Sequence, residues 1–568
     1  MALGKWIFLA ALGVALASGA RADEIGGEPV DVPDAAAGPD APGDTDPAAD
    51  PGPAPSSARP ARDAAMIDLS LADAIALAIE NNLNVQIARH DPLIAWEDTR
   101  IAWGAYDPEA YVEITRSSIE TPIASALQSN NRIEDELWDN EGGLRGILPV
   151  LSTEYLISFS GDRTKTNRTI SSLREQWNSG LTFAITQPLL RDLYWNAPWT
   201  EVKLTEEAYG QALEDFRLAL MNVVTGVEGA YWGAVAADEQ ERVAVKSLEA
   251  SQKLLEQTEV QYEVGVVSKV EVVEAEAGVA ERELDLIRAR NAYRAAQDRL
   301  IDRVFGANLQ ADSRTLVNPV DRPDDYADYQ VDEATAAAKA MQLRPELASL
   351  DQAIRQQQIL LTFNQNQMAP QIDLVASYGY QGLAGKPCTP DPTAIFPACS
   401  DPAAIGRTVD DSFRSSFEDY FDHDGAVNWS VGGVFSIPLG NHAPRARKRQ
   451  AEIQLRKIRT QRARLVQDIV LDIRGSARDL RSAQEGIEAA ERRRLAAEEQ
   501  FRAESIRLEQ GESTPFDVLQ RERDLVSAES QKIGAYQLYR DAVAALERSQ
   551  GTILQRHNVV VDEARELR

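Results

Sequence analysis

The sequence predicts an α+β membrane protein. Amphipathic strands form part of a transmembrane β-barrel that runs on into long helices wound as coiled coils, and the whole is written twice along the chain. Three observations predict it. Landmark residues recur in two halves at constant spacing, apolar residues recur at heptad spacing along the longest stretches, and short runs between those stretches alternate apolar with polar.

The first segment is an address. Residues 1–22 carry Lys5, an apolar core from Trp6 to Ala17, and Ala20-Arg21-Ala22 as a small-residue cleavage site, so they are expected to be a secretory signal peptide. No Cys adjoins that site, so no acylated N-terminal Cys is expected. Residues 23–66 are rich in Pro, Ala, Asp and Gly and bury too little apolar surface to offset their ordering entropy; they are expected to be a disordered linker. No later stretch reaches eighteen uninterrupted apolar residues, so if the mature chain spans a membrane it does so as a barrel.

Repeats organise the remainder. Leu71-Ala-Asp-Ala74 is echoed by Val331-Asp-Glu-Ala334, Tyr106-Asp-Pro108 by Met368-Ala-Pro370, and Gln187-Pro188-Leu by Ile437-Pro438-Leu. Pro198 and Pro444 are 246 residues apart, and so are Gly265 and Gly511. A long rigid element holds such a register, and a helix beginning near a Pro and ending near a Gly does so over roughly 100 Å at about 1.5 Å per residue. The expected coiled-coil seams are Val245, Leu248, Leu255 and Tyr262 outward, then Val273, Ala277, Ala280, Leu284 and Ile287 on the return, with Ile473, Leu480 and Ile487 in the second half. Shorter helices are expected over about 270–305 and 517–553, and lead-in helices over about 70–105 and 331–367.

Strands are expected where apolar residues alternate: Val112 and Ile114; Tyr155, Ile157 and Phe159; Leu181, Phe183 and Ile185; Ile372, Leu374 and Ala376; Trp429, Val431 and Phe435. Four to six strands cannot close around an open lumen, since about eight give only an interior filled with side chains. Open edges in lipid are not tolerated, so several copies must pool their strands.

Composition narrows the function. Asp and Glu number 89 against 59 Lys and Arg, a formal charge of −30, which repels phosphate backbones and excludes nucleic acid as an expected partner. His90, His423, His442 and His557 are scattered without metal-ligand spacing, so no metal or cofactor is expected. No phosphate-cradling loop, nucleophile elbow or H-E-x-x-H motif is present, and no enzyme is expected.

In this order the motifs resemble the TolC-like outer membrane efflux proteins. The residues that carry the resemblance are Leu69-Ser-Leu-Ala-Asp-Ala-Ile-Ala-Leu-Ala-Ile-Glu-Asn-Asn82, Gln187-Pro-Leu-Leu190, Tyr262-Glu-Val-Gly-Val-Val-Ser-Lys-Val-Glu-Val272 and its echo Leu508-Glu-Gln-Gly-Glu-Ser-Thr-Pro-Phe-Asp-Val-Leu519. The resemblance covers about residues 67–555 and implies two tandem halves, 67–318 and 319–555, before a C-terminal tail, 556–568. It implies a homotrimer whose strands share one barrel in outer membrane lipid and whose helices form a hollow periplasmic coiled-coil barrel. Three chains with four strands each would give twelve. Between Tyr111 and Pro188, however, an additional strand-like run near Glu154–Ser160 is either an extracellular excursion or part of a larger wall.

The resemblance also implies the partners: a periplasmic adaptor (membrane fusion protein) and an inner-membrane pump of the RND, ABC or MFS type, in efflux or type I secretion. It places the helix tips at the periplasmic entrance, with Gly265, Val266, Ser268, Gly511, Ser513 and Thr514 as expected adaptor contacts. Asp517 matches an acidic position of the entrance and Glu271 an acidic tip position. Gln520 stands where the family has a second acid, which removes one ring of a double acidic gate. Both acids also suit plain helix starts, which favour negative charge. Cys388 and Cys399 fall between the last two strands, in an outer loop facing an oxidising space, where a disulfide or two free thiols are the alternatives. A soluble periplasmic coiled-coil scaffold without a pore is the alternative reading of the whole chain.

Overall fold

The computed structural model describes residues 66–124, 132–149, 151–168, 171, 173–306, 316–322, 324, 329–387, 412–418 and 426–560. The signal peptide, the linker up to residue 65, and both Cys388 and Cys399 lie outside the described residues. Met66, assigned above to the linker, already belongs to a strand, β1 (Met66–Leu69), which pairs in parallel with β6 (Leu316–Pro319).

Two helices dominate: α3 (Ala197–Glu263), 67 residues long, and α8 (His442–Glu509), 68 residues long. Each turns back into a helix about half its length, α4 (Lys269–Phe305) and α9 (Pro515–Gln550). The lead-in helices differ from expectation, because each is broken once. The first is α1 (Leu71–Asn81) and α2 (Leu83–Trp103), interrupted at buried Asn82, whose side chain caps the Asn84 amide at 2.8 Å and donates to the Arg303 carbonyl at 2.8 Å. The second is α5 (Glu333–Leu343) and α6 (Pro345–Asn366), where Pro345 supplies no N–H and forces Arg344 out of helical geometry. Helices α2, α3, α6 and α8 pack side by side in that order, and α4 and α9 pack along α3 and α8. No described helix is long and apolar enough to cross a membrane.

The strands form one antiparallel sheet in the order β2 (Glu109–Pro122), β3 (Arg132–Leu148), β4 (Thr153–Thr166), β5 (Leu173–Pro188), β7 (Gln371–Pro387) and β8 (Ala426–Ser436). The region between Tyr111 and Pro188 therefore belongs to the sheet: it adds a complete hairpin, and among the described residues this sheet has six strands in place of the four counted above. In register, Val112, Leu144, Ile157, Phe183, Tyr378 and Trp429 share one face, and Glu113, Asp139, Glu141, Asp162 and Ser377 the other. The apolar face is open toward both edges of the sheet, with Val112 78% and Trp429 72% exposed. A short helix, α7 (Phe413–Glu418), lies between β7 and β8 in the chain.

The seams depart from the heptads read above. In the second half Ile473, Leu480 and Ile487 are buried as expected. In the first half the buried residues are Ser247, Ser251, Leu254 and Thr258 on α3 and Ala275, Gly278, Arg282 and Leu286 on α4, and Ser247, Ser251, Gly278 and Arg282 find their partners on α9. Val245, Leu248 and Leu255 are only half-buried, while Tyr262, Val273, Ala277, Ala280, Leu284 and Ile287 are exposed. Small residues take the inner line because they let the helices approach closely, as at Gly278, where an added Cβ would press on Leu519 at 3.0 Å.

The main core sits midway along α3. Phe216, Leu220, Val224, Val227 and Tyr231 pack there against α1, α4 and β6, and a last short helix, α10 (Ile553–Arg556), closes it with fully buried Ile553. The C-terminal tail thus begins as docked structure: the His557 ring nitrogen lies 3.3 Å from buried Glu228. Asp541 on α9 approaches the same place, against Gly229, and burial, reinforced by the Glu228 charge, pushes its carboxyl up to about 6. A carboxyl raised above its unfolded value of about 3.9 favours folding most at low pH, and that stability is lost as pH rises from about 4 to about 6. Asp541→Asn is therefore expected to stabilise the protein by roughly 2 kcal/mol at pH 7.5 and by little at pH 4. Thermal unfolding at both pH values checks this, and an equal gain at each would contradict it.

Candidate functional site

The two tips are built alike. At the first, Gly265 has φ +80°, its amide donates to the Tyr262 carbonyl at 2.9 Å, and the Val266 amide donates to Gln261 at 2.9 Å. At the second, Gly511 has φ +78°, its amide reaches Leu508 at 3.0 Å, and the Glu512 amide reaches Arg507 at 2.8 Å. Each is a Schellman termination, which needs a left-handed residue and so selects Gly. Nothing lies within 4 Å of a Cβ added at either Gly, so backbone conformation and not space demands the residue.

Each turn feeds directly into a capped helix. Ser268 and Glu271 form a reciprocal capping box, with the Ser268 amide donating to the Glu271 carboxylate at 2.5 Å. The Thr514 hydroxyl donates to Asp517 at 2.8 Å and accepts from the Asp517 amide at 3.3 Å, with Pro515 opening the helix. Glu271 and Asp517 thus occupy equivalent third positions and serve their own helix starts, and Asp517 remains exposed. Val266 and Gln520 are exposed, and Ser513 donates to Glu504 at 2.5 Å. The structure brings Gly265, Val266, Ser268 and Glu271 together at one tip, and Gly511, Ser513, Thr514, Asp517 and Gln520 at the other.

Behind the tips lies a cluster that the sequence reading missed. Leu254, Leu508, Val518 and Leu519 join the two hairpins in one apolar contact. Next to it, buried Glu522 on α9 accepts from the hydroxyls of Ser247 at 2.6 Å and Ser251 at 3.1 Å on α3. Arg282 on α4, also buried, lies 3.6 Å from Glu522 and bonds Asp285 at 3.2 Å. Glu281 and Arg523 pair nearby at 2.6 Å. One carboxylate therefore ties together three helices. The available signal was the Ser247-Ser251-Leu254-Thr258 spacing, an inner seam written in small and polar residues.

Residues 156–303 and 336–552, more than half of the chain, match the outer membrane efflux protein family. The chain belongs to that family. Its fold is similar to the Campylobacter jejuni CmeC outer membrane channel, with TM-score 0.60 and 13% identity over 87% of this chain and 90% of that one. It is similar to the open state of the Neisseria gonorrhoeae MtrE outer membrane channel, with TM-score 0.57 and 16% identity over 85% and 89%. It is also similar to the Vibrio cholerae outer membrane protein VceC, with TM-score 0.57 and 15% identity over 85% and 96%. No curated protein matches it by sequence. Family membership sets the protein in the outer membrane, with its helical part in the periplasm, and gives it a role in efflux.

Breaking one side of a buried ion pair costs about 3–5 kcal/mol, because the other charge is left without a partner. Glu522→Ala is expected to loosen the tip-proximal halves of α3, α4 and α9 by that order. Amide exchange should quicken there and stay unchanged in the core around Tyr231. Unaltered exchange near the tips would exclude a holding role for Glu522.

Proposed function

We propose that three copies of this chain close a single tube, the exit duct of a tripartite efflux or type I secretion system. The observation that carries this reading is the pair of open sheet edges. β2 and β8 end the sheet, and neither has a second partner among the described residues. An unpaired edge in hydrocarbon costs several kcal/mol for each unsatisfied group, so β8 of one copy must meet β2 of the next. Six strands per chain then give eighteen, with the apolar face toward lipid and the acidic face toward the lumen. A soluble scaffold would leave Val112, Trp429 and their neighbours in water.

The helical row has matching open edges. On α2, Leu83, Ile87, His90, Ile94, Glu97 and Ile101 follow alternating steps of four and three, and Ile87, Ile94 and Ile101 are exposed. That is a coiled-coil seam without a helix beside it. On α8, residues 442–464 hold nine Lys or Arg and one acid in a chain of charge −30. Arg445, Arg449, Arg456, Lys457 and Arg464 are exposed there, with exposed Ile453 among them. Asp91, Glu97 and Asp98 beside the α2 seam complement that edge, and the chain directions match, since α2 runs toward the sheet and α8 away from it.

The tandem halves 67–318 and 319–555 supply the two kinds of helical hairpin. The tips carrying Gly265 and Gly511 face an adaptor, which joins the duct to an inner-membrane pump of the RND, ABC or MFS type. Asp517, repeated three times, sets the ion preference of the entrance.

Two measurements test the duct. Ile94→Arg is expected to abolish the heat-modifiable trimer on gels, because it buries a charge against a basic edge. In a lone chain it would change stability by no more than about 0.5 kcal/mol. A trimer as robust as wild type would overturn the seam. In planar bilayers the wild-type protein should conduct and prefer cations. Asp517→Asn, which keeps an acceptor for Thr514, should lower that preference; unchanged selectivity would remove Asp517 from the entrance field.

A further inference from the structure

The hairpin β3–β4 brings to the apolar face a row of side chains that the duct does not use. Arg116 on β2 is opposite Trp138 on β3, Trp138 is opposite Arg163 on β4, and Arg163 is opposite Trp177 on β5. The row therefore reads Arg, Trp, Arg, Trp across four strands. The Arg116 guanidinium lies 5.0 Å from the Trp138 ring centroid and that of Arg163 5.1 Å from Trp177. Ile114 and Val112 stand two and four residues below Arg116 on the same face, so the row points where the apolar band points.

Its height is set by the strands. From Thr153, the sheet's helix-side end of β4, to Arg163 is ten residues, or about 33 Å along a strand at about 3.3 Å per residue. A tilt of about 40° reduces that to about 25 Å, the height of the apolar band of an outer-membrane barrel. The row thus falls at the far rim of the band, at the depth of lipid headgroups, where Trp is the favoured aromatic.

The charges at that level are mixed but leave one end free. Arg163 is ion-paired with Glu175, and Glu136 and Lys165 face each other in the next row outward. Helix α7 covers the β5 end, with Phe413 and Phe417 stacked edge-on against Trp177 and Phe159. At the β2 end Arg116 is exposed and has no carboxylate partner among the described residues, and Trp138 is 37% exposed. A guanidinium laid flat on an indole is already ordered, and its planar N–H fork fits the oxygens of a phosphate.

From this placement we propose that the Arg116–Trp138–Arg163 row binds the phosphate of a lipid headgroup in the outer leaflet, fastening the rim of the channel to the membrane surface. The inference rests on the barrel reading above, because it needs the apolar face to be in lipid.

The test uses the full-length protein in detergent, with diphosphoryl lipid A added and bound lipid counted by native mass spectrometry. At about fivefold per cation near a charged surface, Arg116→Gln should weaken binding about fivefold, and Arg116→Gln/Arg163→Gln at least as much, Arg163 being already paired with Glu175. The single variant disturbs no ion pair and keeps the test sound if the double variant folds poorly. Undiminished binding by Arg116→Gln would overturn the proposal. So would equal binding of dephosphorylated lipid A, or full displacement by millimolar inorganic phosphate, which would mark a site for the free anion. Bilayer conductance and the gel trimer are read on the same preparations. A conducting trimer indifferent to the Arg116 change sinks the lipid site alone, whereas a non-conducting monomer sinks the barrel.

Discussion

Backbone hydrogen bonding at the two ends of the sheet is the constraint on which the rest depends. Within the sheet each inner strand is bonded on both sides, and only β2 and β8 are not. Water could satisfy those edges and hydrocarbon cannot. Once the apolar face is placed in lipid, the edges require a neighbour. The same chain order then sets the helical layer, because α2 runs directly into β2 and β8 runs directly into α8. Joining the strands of adjacent copies brings the α2 and α8 edges together, and those edges are the ones that carry an unused heptad and an unbalanced run of cations. Sheet and helices therefore ask for the same partner.

At the opposite end, length is the controlling quantity. Helices of 67 and 68 residues starting from one sheet reach their ends at one level, so their two turns can form a common rim. Both turns use the same Gly-centred termination, followed after three residues by a hydroxyl cap. Such turns are short, and they present backbone together with the exposed side chains of Val264, Val266 and Phe516 outward. The stabilising contacts lie one or two turns behind, in the leucine cluster and at Glu522. The rim is left free for contact while the hairpins remain joined.

Much of this was legible because it is repetitive. The constant spacing of Pro198, Pro444, Gly265 and Gly511 marks both long helices, and period-two runs mark five of the six strands of the sheet. β3 was not legible: its outward residues include Glu136, Asn140, Gly142 and Gly146, and its other face mixes Asp135, Asp139 and Glu141 with Leu137 and Ile147, so no run of it alternates apolar with polar. The break at Arg344 could be anticipated from Pro345, but the break at Asn82 depends on a carbonyl of α4 that lies far away in the chain. The seams of the first half were misplaced because apolar side chains there face outward and serines face inward. A reading that equates apolar with buried fails wherever a helix of the single chain leaves apolar side chains such as Val273, Leu284 and Ile287 exposed, and it cannot see a buried carboxylate such as Glu522, whose partners come from two other helices.

The additional hairpin has a geometric consequence for the proposed three-copy tube. Each chain sets four helices side by side below the sheet, α2, α3, α6 and α8, so three chains set twelve. At an interaxial distance of about 9–10 Å, twelve helices enclose a perimeter of roughly 110–120 Å. Strands spaced about 4.8 Å apart and tilted about 40° each occupy roughly 6 Å of perimeter. Twelve such strands would enclose only about 75 Å and would need a much steeper tilt to meet the helices. Eighteen enclose about 110 Å and meet them at an ordinary tilt. On this argument β3 and β4 belong to the wall for the same reason that the edges must pair: the strands have to close, and they have to close at the width of the helices to which they are covalently joined.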